Sequence, residues 1–377
     1  MKREKIIVAL SGGVDSSVAA QLLVEQGFNV EGVYMKYASE TVHGHLATAA
    51  CGWKDDCAMV EALGRHLDIP VRSINVEREY DEKVIAAFID EYARGRTPNP
   101  DVLCNRDIKF GLFAQWAKRQ NADAIATGHY ARIERRAGTT HLCMGRDALK
   151  DQSYFLYAVP KNTLPFVRFP VGHMTKKEVR AYATKRHLPS ADRPDSQGVC
   201  FIGRLKVASF LRSRIAVSPG PIVGSDGTAL GTHDGLPFYT IGQRHGLGVG
   251  GGQPLYVALK DVDRRALIVA RGIDDPALYA EGLVARHPTW LIDVPDARFR
   301  CSVRIRYRQP LVDATVAVEP DGLTVQFDAP QRAVAPGQAV VFYQRDVVLG
   351  GATIDRAVPV SHMTAHSLAY EYEISTG

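Results

Sequence analysis

The chain has no long hydrophobic run and few cysteines. No stretch reaches the roughly 18 apolar residues that a membrane-spanning helix requires, and the apolar run Ile6–Leu10 is too short for the core of a signal peptide. Six cysteines in 377 residues are too few for a disulfide scaffold, and no C-x-x-C pair marks a structural zinc site. We therefore expect a cytoplasmic protein with no membrane partner and no structural zinc site, whose cysteines are inert or catalytic.

The charge balance excludes few partners. Hydrophobic residues make up 46% of the chain and charged residues 23%, which is ordinary for a globular protein. The net charge of +5 and the sequence pI of about 8.8 permit a polyanionic partner without requiring one. The length of 377 residues indicates two or three domains.

Short apolar runs alternate with helical patterns in the first half of the chain. The strand-like run Ile6–Leu10 is followed by a helical pattern from Asp15 to Gln26 with apolar residues on one face. A later helical stripe, Asp81–Arg94, ends at Gly95. This βαβα order predicts a parallel sheet with helices on both faces, in an N-terminal domain over residues 1–203.

The composition changes after about residue 203. Gly and Pro become frequent between short β-rich runs over residues 204–279, which predicts a small, mainly β central domain. Alternating strand patterns such as "CSVRIRYRQ" and "LTVQFDAP" over residues 280–360 predict a C-terminal β-barrel, and residues 361–377 have the character of a tail. The expected fold class is α/β, with a parallel-sheet domain followed by these two β domains.

The stretch "ALSGGVDSS" has the composition of an anion-binding loop. It lies between the first strand pattern and the first helix, where parallel sheets bind their ligands. Gly12 and Gly13 let backbone N–H groups approach an anion, Ser11 and Ser16 offer hydroxyl donors, and the helix dipole favours negative charge. Asp15 can hold a divalent cation against a phosphate. The stretch lacks Gly-Lys-Ser/Thr, so it is not a Walker A loop.

A second glycine pattern fails its context test. Gly246, Gly248 and Gly251 fit G-x-G-x-x-G, but no apolar strand leads directly into them and the following "QPLYVALK" is not a helix start. We interpret this stretch as a flexible or backbone-binding loop rather than a dinucleotide site.

Two cysteines lie in polar segments outside the periodic patterns. Cys104 closes "TPNPDVLCN", which we expect to be a proline-rich loop between helices, and nearby Arg106 and Lys109 would lower a thiol pKa. Cys200 lies in "DRPDSQGVCFIG". For either cysteine alone, an ordinary buried side chain is an equally good interpretation. The remaining cysteines are interpreted as non-catalytic: Cys51 and Cys57, which with His43 and His45 match no common zinc spacing, and Cys143 and Cys301, which lie in strand patterns.

The run "RIRYRQ" predicts a basic strand face. Strand alternation would place Arg304, Arg306 and Arg308 on one face and Val303, Ile305 and Tyr307 on the other. Such a face suits phosphate contacts, although a solvated outer face of a barrel is the alternative.

Several of these motifs together resemble one family. "SGGVDS", "NPDVLCN", "ATGHYAR", "KDQSYFL", "DSQGVCFIG", "YTIGQRHGLG" and "RIRYRQ" occur in the order found in tRNA-specific 2-thiouridylases, which belong to the PP-loop or N-type ATP pyrophosphatases. The resemblance extends to about residue 356, and the run "GVGGG" departs from it. It implies ATP-dependent adenylation, with Mg²⁺, of the wobble uridine of tRNA, followed by sulfur transfer from a cysteine persulfide that a sulfur-donor protein supplies.

The resemblance also implies roles for individual residues. Cys104 corresponds to the nucleophile, Cys200 to the persulfide carrier, and Asp101 to an acid or base. The implied nucleotide site consists of Ala9, Leu10, Ser11, Gly12, Gly13, Val14, Asp15 and Ser16, with Met35 and Gly128. The implied tRNA contacts are Asn99, Pro100 and Asp101 at the target base, and His129, Lys150, Asp151, Gln152, Arg306, Tyr307 and Gln338.

Two other functions remain open from the sequence. The first is a PP-loop enzyme that adenylates a small molecule, which would leave Cys104 and Cys200 without a role. The second is a non-catalytic RNA-binding protein that retains a nucleotide loop.

Overall fold

The computed structural model describes residues 3–37, 53–194, 207–250, 252–294 and 296–360. Cys51, Cys200, His43, His45 and the predicted tail over residues 361–377 lie outside them. The predicted domain limit after residue 203 also lies outside them, and the limit after residue 279 stays a prediction. Within the described ranges, no helix is long and apolar enough to cross a lipid bilayer.

The N-terminal domain contains the predicted parallel sheet. Its five strands run in the order β3-β2-β1-β4-β7, and every neighbouring pair is parallel. They are β1 (Lys5–Ala9), β2 (Asn29–Lys36), β3 (Val71–Asn75), β4 (Ala124–Ala126) and β7 (Val167–Arg168). Ile6 and Val8 pack into one hydrophobic core and Ile7 into another, because successive residues of a strand point to opposite faces. The sheet is therefore covered on both faces, as predicted.

Helices cover this sheet, and the last described α-helix lies at the start of the central domain. The α-helices are α1 (Val14–Glu25), α2 (Trp53–Leu67), α3 (Glu77–Tyr80), α4 (Ala86–Ala93), α5 (Pro100–Leu103), α6 (Ala114–Arg119), α7 (Lys176–Lys185) and α8 (Val207–Arg212). A π-helical segment, Asp81–Ile85, joins α3 to α4, and a second, Cys104–Phe113, joins α5 to α6. The 3₁₀ turns are Ser153–Leu156, Lys161–Phe166, Pro170–His173, Leu236–Phe238 and Pro276–Leu278.

The prediction that Cys104 lies in a loop is wrong. Pro100 is the first residue of α5, where a missing backbone N–H breaks no helical bond, and the Asn99 side chain accepts a hydrogen bond from the backbone N–H of Val102 at 3.4 Å. Cys104 is the next residue after α5 and is 2% exposed. The proline and asparagine of "TPNPDVLCN" therefore begin a helix, and the cysteine lies one turn inside it.

The central domain has a four-stranded sheet in the order β10-β11-β8-β9. Its strands are β8 (Gly220–Gly224), β9 (Ala229–His233), β10 (Leu255–Asp261) and β11 (Ala266–Arg271). Gly246 and Gly248 have φ of +76° and +71°, in the loop that precedes β10. A strand, β10, rather than a helix follows this glycine pattern, so the pattern lacks the helix start that a dinucleotide-binding turn requires.

The C-terminal domain is a closed antiparallel barrel of six strands. β12 (Tyr279–Trp290), β13 (Arg298–Arg304), β14 (Val312–Glu319), β15 (Gly322–Arg332), β16 (Ala339–Gln344) and β17 (Val347–Pro359) form it, and pairing of β12 with β17 closes it. A hairpin from the N-terminal domain, β5 (Ala131–Arg136) and β6 (Thr139–Met144), extends the same sheet where Cys143 pairs with Val347. The first and third domains thus share a sheet.

The predicted basic strand face is wrong. β13 ends at Arg304, so the alternation that would align the three arginines stops there. Arg304 is 6% exposed, and its Nη1 donates a hydrogen bond to Asp151 Oδ2 at 2.9 Å. Arg306 Nη2 donates to the carbonyl of Ile241 at 2.9 Å. Arg308 is exposed and has φ of +64° in the turn after the strand.

Removal of the buried guanidinium is expected to destabilise the protein strongly. Arg304→Met would leave the Asp151 carboxylate as a buried charge without its counter-ion, a loss of about 3–5 kcal/mol of unfolding free energy. Urea unfolding measures it. Arg300→Met is the matched control, because Arg300 forms a two-bond ion pair with Asp328 on the exposed surface of the same barrel, and we expect no measurable change. Equal losses in the two variants would contradict the prediction.

Candidate active site

The loop after β1 forms a cradle at the start of α1. Gly12 has φ of +77°, a conformation that glycine adopts without strain. Gly13 is the N-cap residue of α1, and no side chain among the described residues caps this helix. Ser16 Oγ donates to the carbonyl of Gly13 at 3.1 Å and accepts from the backbone N–H of Ser11 at 3.3 Å, so the serines brace the loop. The first amides of α1 therefore stay available for an anion.

Gly128 lies directly against this cradle. A Cβ atom on Gly128 would lie 2.5 Å from the backbone nitrogen of Ser16 and 2.6 Å from the carbonyl carbon of Asp15. Any side chain there would press on the first turn of α1. Met35 is 5% exposed in β2, the strand next to β1. The structure thus brings Gly128 to the predicted nucleotide loop, and it places Met35 on the neighbouring strand.

Asp15 accepts two hydrogen bonds on one oxygen. Tyr130 donates its hydroxyl to Asp15 Oδ1 at 2.7 Å, and Lys176 Nζ donates to the same atom at 2.7 Å. Lys176 is the first residue of α7, and its side chain is 13% exposed. No sequence motif marked Lys176, although Tyr130 lies within "ATGHYAR".

A second cation faces the other side of the loop. Arg193 Nη1 donates to the carbonyl of Gly12 at 3.1 Å and to Asp56 Oδ1 at 2.8 Å. A Cβ on Gly12 would lie 2.7 Å from that guanidinium nitrogen, so a side chain there would displace the Arg193 guanidinium from this position. Burial raises the pKa of the Asp56 carboxyl, and the Arg193 hydrogen bond opposes this shift. Sequence reasoning missed Arg193 as well, since neither its spacing nor its neighbours distinguish it from other arginines in polar segments.

The helix with Cys104 carries the residues predicted to be catalytic. Asp101 lies in the first turn of α5, and burial raises the pKa of its carboxyl while the charge of Lys109 opposes the shift. Cys104 is buried in the core that covers one face of the parallel sheet. The protonated form of Asp101 is favoured relative to an exposed carboxyl, which suits a group that holds and releases a proton.

The raised pKa of Asp101 predicts a pH-dependent effect of Asp101→Asn. The folded protein binds this proton more tightly than the unfolded chain, so the wild type loses stability as the pH rises from the ordinary value of 3.8 through the raised value. The amide cannot ionise. The unfolding free energy of the variant, relative to the wild type, should therefore increase with pH over this interval, by about 1.4 kcal/mol for each pH unit that the interval spans, and then level off. Denaturant titrations from pH 4 to 8 measure it, and a pH-independent difference would contradict it.

His129 connects the cysteine helix to the nucleotide loop. Lys109 Nζ lies 3.5 Å from His129 Nε2, and Thr127 Oγ1 lies 2.6 Å from His129 Nδ1. Burial and, secondly, the charge of Lys109 hold the pKa of His129 well below its usual value, so the imidazole is neutral. Lys109 then donates to Nε2, and Nδ1–H donates to Thr127. Because Gly128 is the neighbour of His129, this contact joins the two segments.

The barrel holds the segment that precedes the cysteine helix. Gln338 Nε2 donates to the carbonyls of Thr97 and Pro98 at 2.9 and 3.2 Å, and the backbone N–H of Thr97 donates to the carbonyl of Pro336 at 2.8 Å. The amide nitrogen of Gln338, predicted to contact tRNA, is thus used within the protein. Asn99 and Pro100 follow directly on this anchored segment.

The "KDQSYF" segment contacts three parts of the protein. Asp151 is 1% exposed; it accepts from the backbone N–H groups of Gly145 and Ser153 as well as from Arg304. This burial does not fit the predicted tRNA contact of the Asp151 side chain, and a structural role does. Gln152 Oε1 accepts from the backbone N–H of Tyr130 at 2.9 Å, and Asn105, next to Cys104, donates to the carbonyl of Phe155 at 3.1 Å.

The other residues predicted to contact tRNA are partly exposed to solvent. Lys150 is partly buried, and Tyr307 packs on Phe155 with ring centroids 4.5 Å apart. Arg306 is partly buried in the turn after β13, and burial lowers its pKa.

Two of the remaining cysteines, Cys143 and Cys301, are unsuited to nucleophilic chemistry. Burial raises the pKa of Cys143 to about 11 and that of Cys301 to about 12, so both thiols stay protonated at neutral pH. Cys57 lies in α2. Cys200, the predicted persulfide carrier, lies outside the described residues, so its distance from Cys104 stays a prediction.

Three family models match the chain in order. They are the tRNA methyl transferase HUP domain over residues 4–204, the tRNA methyl transferase PRC-barrel domain over residues 208–271 and the aminomethyltransferase beta-barrel domain over residues 280–354. Together with the glycine loop at the end of β1, they define a PP-loop protein of the tRNA-modifying class, with two β domains after the nucleotide-binding one.

Relatives at high identity name the family within this class. The tRNA-specific 2-thiouridylase MnmA 1 of Geobacillus kaustophilus is 46% identical over 370 residues, which cover 97% of this chain and 99% of the relative. The MnmA enzyme of Halalkalibacterium halodurans is 45% identical over 360 residues, covering 95% and 96%. The chain belongs to the tRNA-specific 2-thiouridylase family.

Solved structures match at lower similarity. One is a 4-thiouridine synthetase–RNA complex with bound ATP, at 16% identity and a TM-score of 0.34, covering 56% of this chain and 49% of that one. Another is a predicted subunit of tRNA methyltransferase from Methanocaldococcus jannaschii, at 16% identity and a TM-score of 0.32, covering 48% and 74%.

Proposed function

We propose that the protein is a tRNA-uridine 2-sulfurtransferase that converts the wobble uridine of tRNA to 2-thiouridine. One observation supports this most strongly. The anion cradle at the start of α1 and the helix that carries Asp101 and Cys104 are joined through Gly128, His129 and Lys109. These contacts support a single site that contains both the nucleotide loop and the buried cysteine, as activation followed by sulfur transfer requires.

The cradle fits the phosphates of ATP. Gly12 and Gly128 leave no side chain between the loop and a ligand, and the open start of α1 favours an anion. Asp15 is the residue that would hold Mg²⁺. ATP supplies the adenylyl group that turns O2 of the uracil into a leaving group, with release of pyrophosphate and then AMP.

Side chains near the cysteine helix would position the target base and the tRNA. Asn99 and Pro100, anchored on the barrel, would position the uracil beside Asp101, which holds or releases the proton that moves during the reaction. The target base must leave its stack to reach this buried site. His129, Lys150, Gln152, Arg306 and Tyr307 would contact the tRNA around it.

Sulfur transfer uses the two predicted cysteines. A donor protein would load Cys200 as the persulfide, Cys200–S–SH. Attack by the Cys104 thiolate on the inner sulfur of the persulfide, Cys200 Sγ, forms the Cys104–Cys200 disulfide and releases the outer sulfur as HS⁻. This HS⁻ then displaces AMP from C2. In the second route the persulfide attacks C2 directly and Cys104 then resolves the resulting bond. Either route ends in a disulfide that an external thiol must reduce.

Release of pyrophosphate that depends on tRNA tests this function. Purified protein with ATP-Mg²⁺ should release pyrophosphate in proportion to added unmodified tRNA that carries a wobble uridine, and the same tRNA with cytidine at that position is the control. Release stimulated by a small molecule without tRNA would favour another adenylating enzyme. Binding of tRNA with no release under any condition would favour a non-catalytic RNA-binding protein.

The proposal includes the organisation and the location of the protein. The domains are residues 1–203, 204–279 and 280–360, followed by a tail over residues 361–377. We place the protein in the cytoplasm, where tRNA and a persulfide donor are available.

A further inference from the structure

Two cations face the nucleotide loop from opposite sides. Lys176 Nζ lies 2.7 Å from Asp15 Oδ1, and Arg193 Nη1 lies 3.1 Å from the carbonyl oxygen of Gly12. Asp15 belongs to the first turn of α1, whereas Gly12 lies before the helix. The loop is therefore flanked by positive charge at both of its ends, and neither cation belongs to the motifs that mark this family.

Lys176 is held in place by its own helix start. Thr175 is the N-cap residue of α7 and forms a capping box with Glu178. The backbone N–H of Lys176 also donates to Asp147 Oδ2 at 2.8 Å. The backbone from which the lysine extends is thus fixed by three side chains, which limits the loss of conformational freedom when its ammonium group binds a ligand.

The same helix holds Arg193. Arg180 lies one turn after Lys176 in α7, and its Nη1 donates to the carbonyl oxygens of Ala191 and Arg193 at 3.4 and 3.1 Å. The backbone N–H of Arg193 donates to the carbonyl of Ser190 at 3.0 Å. Helix α7 therefore positions both cations, although they are separated along the chain.

Each cation now contacts a carboxylate that is itself partly exposed. The side chains of Asp15 and Asp56 are 33% and 38% exposed, against 13% for Lys176 and 27% for Arg193. Ion pairs of this exposure add little to the stability of the fold. Stabilisation by these pairs therefore does not account for two well-positioned cations beside the open start of α1. A polyphosphate carries the charge that such cations attract strongly in a desolvated site.

We propose that Lys176 and Arg193 bind the β- and γ-phosphates of the nucleotide, an inference that rests on the proposed ATP site. The α-phosphate must stay open to the uracil oxygen that attacks it. Negative charge accumulates on the departing pyrophosphate, and fixed cations stabilise that charge. Lys176 and Arg193 would thus hold ATP before the reaction and favour departure of pyrophosphate during it.

Nucleotide affinity measured by calorimetry on the full-length protein, without tRNA, tests this. In Lys176→Met and in Arg193→Met, the Kd for ATP should rise by about 10- to 100-fold, the loss expected for a hydrogen bond to a charged group. The Kd for AMP, which lacks the β- and γ-phosphates, should change less than about twofold. Lys177→Met is the matched control, because Lys177 is the next residue of α7 and is exposed. The affinity of this variant for ATP should equal that of the wild type.

The outcomes separate the inference from the proposed function. An unchanged ATP affinity in both variants, or a parallel loss of ATP and AMP affinity, would show that the cations are structural and would overturn the inference. Lys176→Gln keeps a donor for Asp15 without the charge, so it gives the same test if the Met variant does not fold. A wild-type protein that binds no ATP would instead contradict the proposed function itself.

Discussion

Cys104→Ser is expected to abolish thiolation of tRNA while leaving the protein folded. The side chain is 2% exposed and one atom changes, so the core around it should be retained. A serine hydroxyl is a far poorer nucleophile toward a persulfide, and loss of a nucleophile typically costs a thousandfold or more in rate. We expect a loss of at least about a thousandfold in 2-thiouridine formation, measured by mass spectrometry of digested tRNA.

The stalled variant should accumulate sulfur on the other cysteine. If Cys104 consumes a persulfide on Cys200, Cys104→Ser incubated with a persulfide donor should carry one added sulfur on the Cys200 peptide. Cys200→Ser should not, although it should still adenylate tRNA. Cys301→Ser is the control, because that thiol is buried in the barrel and is expected to leave thiolation within about twofold of the wild type. Full thiolation by either active-site variant, or a persulfide confined to Cys104, would refute these roles.

Asp15→Ala should nearly eliminate pyrophosphate release while leaving tRNA affinity unchanged. The substitution removes the acceptor of both Tyr130 and Lys176 and the residue expected to hold Mg²⁺. Losses of about a hundredfold or more are typical when charge stabilisation at a reacting phosphate is removed. Release of labelled pyrophosphate and binding of labelled tRNA give the two measurements.

An acidic residue in a comparable position is the control for Asp15. Asp55 lies in the first turn of α2, as Asp15 does in α1, but its side chain is exposed. Asp55→Ala should preserve pyrophosphate release. If Asp15→Ala weakened tRNA binding as much as it slowed pyrophosphate release, the loop would have a structural role instead.

The sequence predicted the parallel sheet, the loop and the barrel because periodicity and glycine placement are local signals. α1 was predicted at Asp15–Gln26 and lies at Val14–Glu25. The error at Cys104 came from interpreting two prolines as a loop, when Pro100 and Asn99 in fact begin a helix. The error at Arg304 came from continuing strand alternation past the end of β13, where a buried partner, Asp151, was not visible in the pattern.

Residues brought together only by the fold escaped prediction. Lys176 and Arg193 reach the loop from helix α7 and the turn after it, and Asp15 and Lys176 lie 161 residues apart in the chain. Nothing local distinguishes these cations from the surface lysines and arginines around them. The internal hydrogen bonds of Gln338 escaped prediction for the same reason, since its bonds to Thr97 and Pro98 depend on the barrel packing against a distant segment.

The hairpin β5–β6 prevents the first and third domains from being separated cleanly. It adds two strands of the first domain to the sheet of the third, and Arg132 donates to Asp346 Oδ2 at 2.7 Å across the junction. A fragment that ends before the barrel would expose the edge of β6, and exposed edges invite strand pairing between molecules. Excised fragments should therefore aggregate, and the barrel should move with the catalytic domain as one rigid piece. The unit that evolution could exchange or an engineer could transplant is therefore at least the first and third domains together.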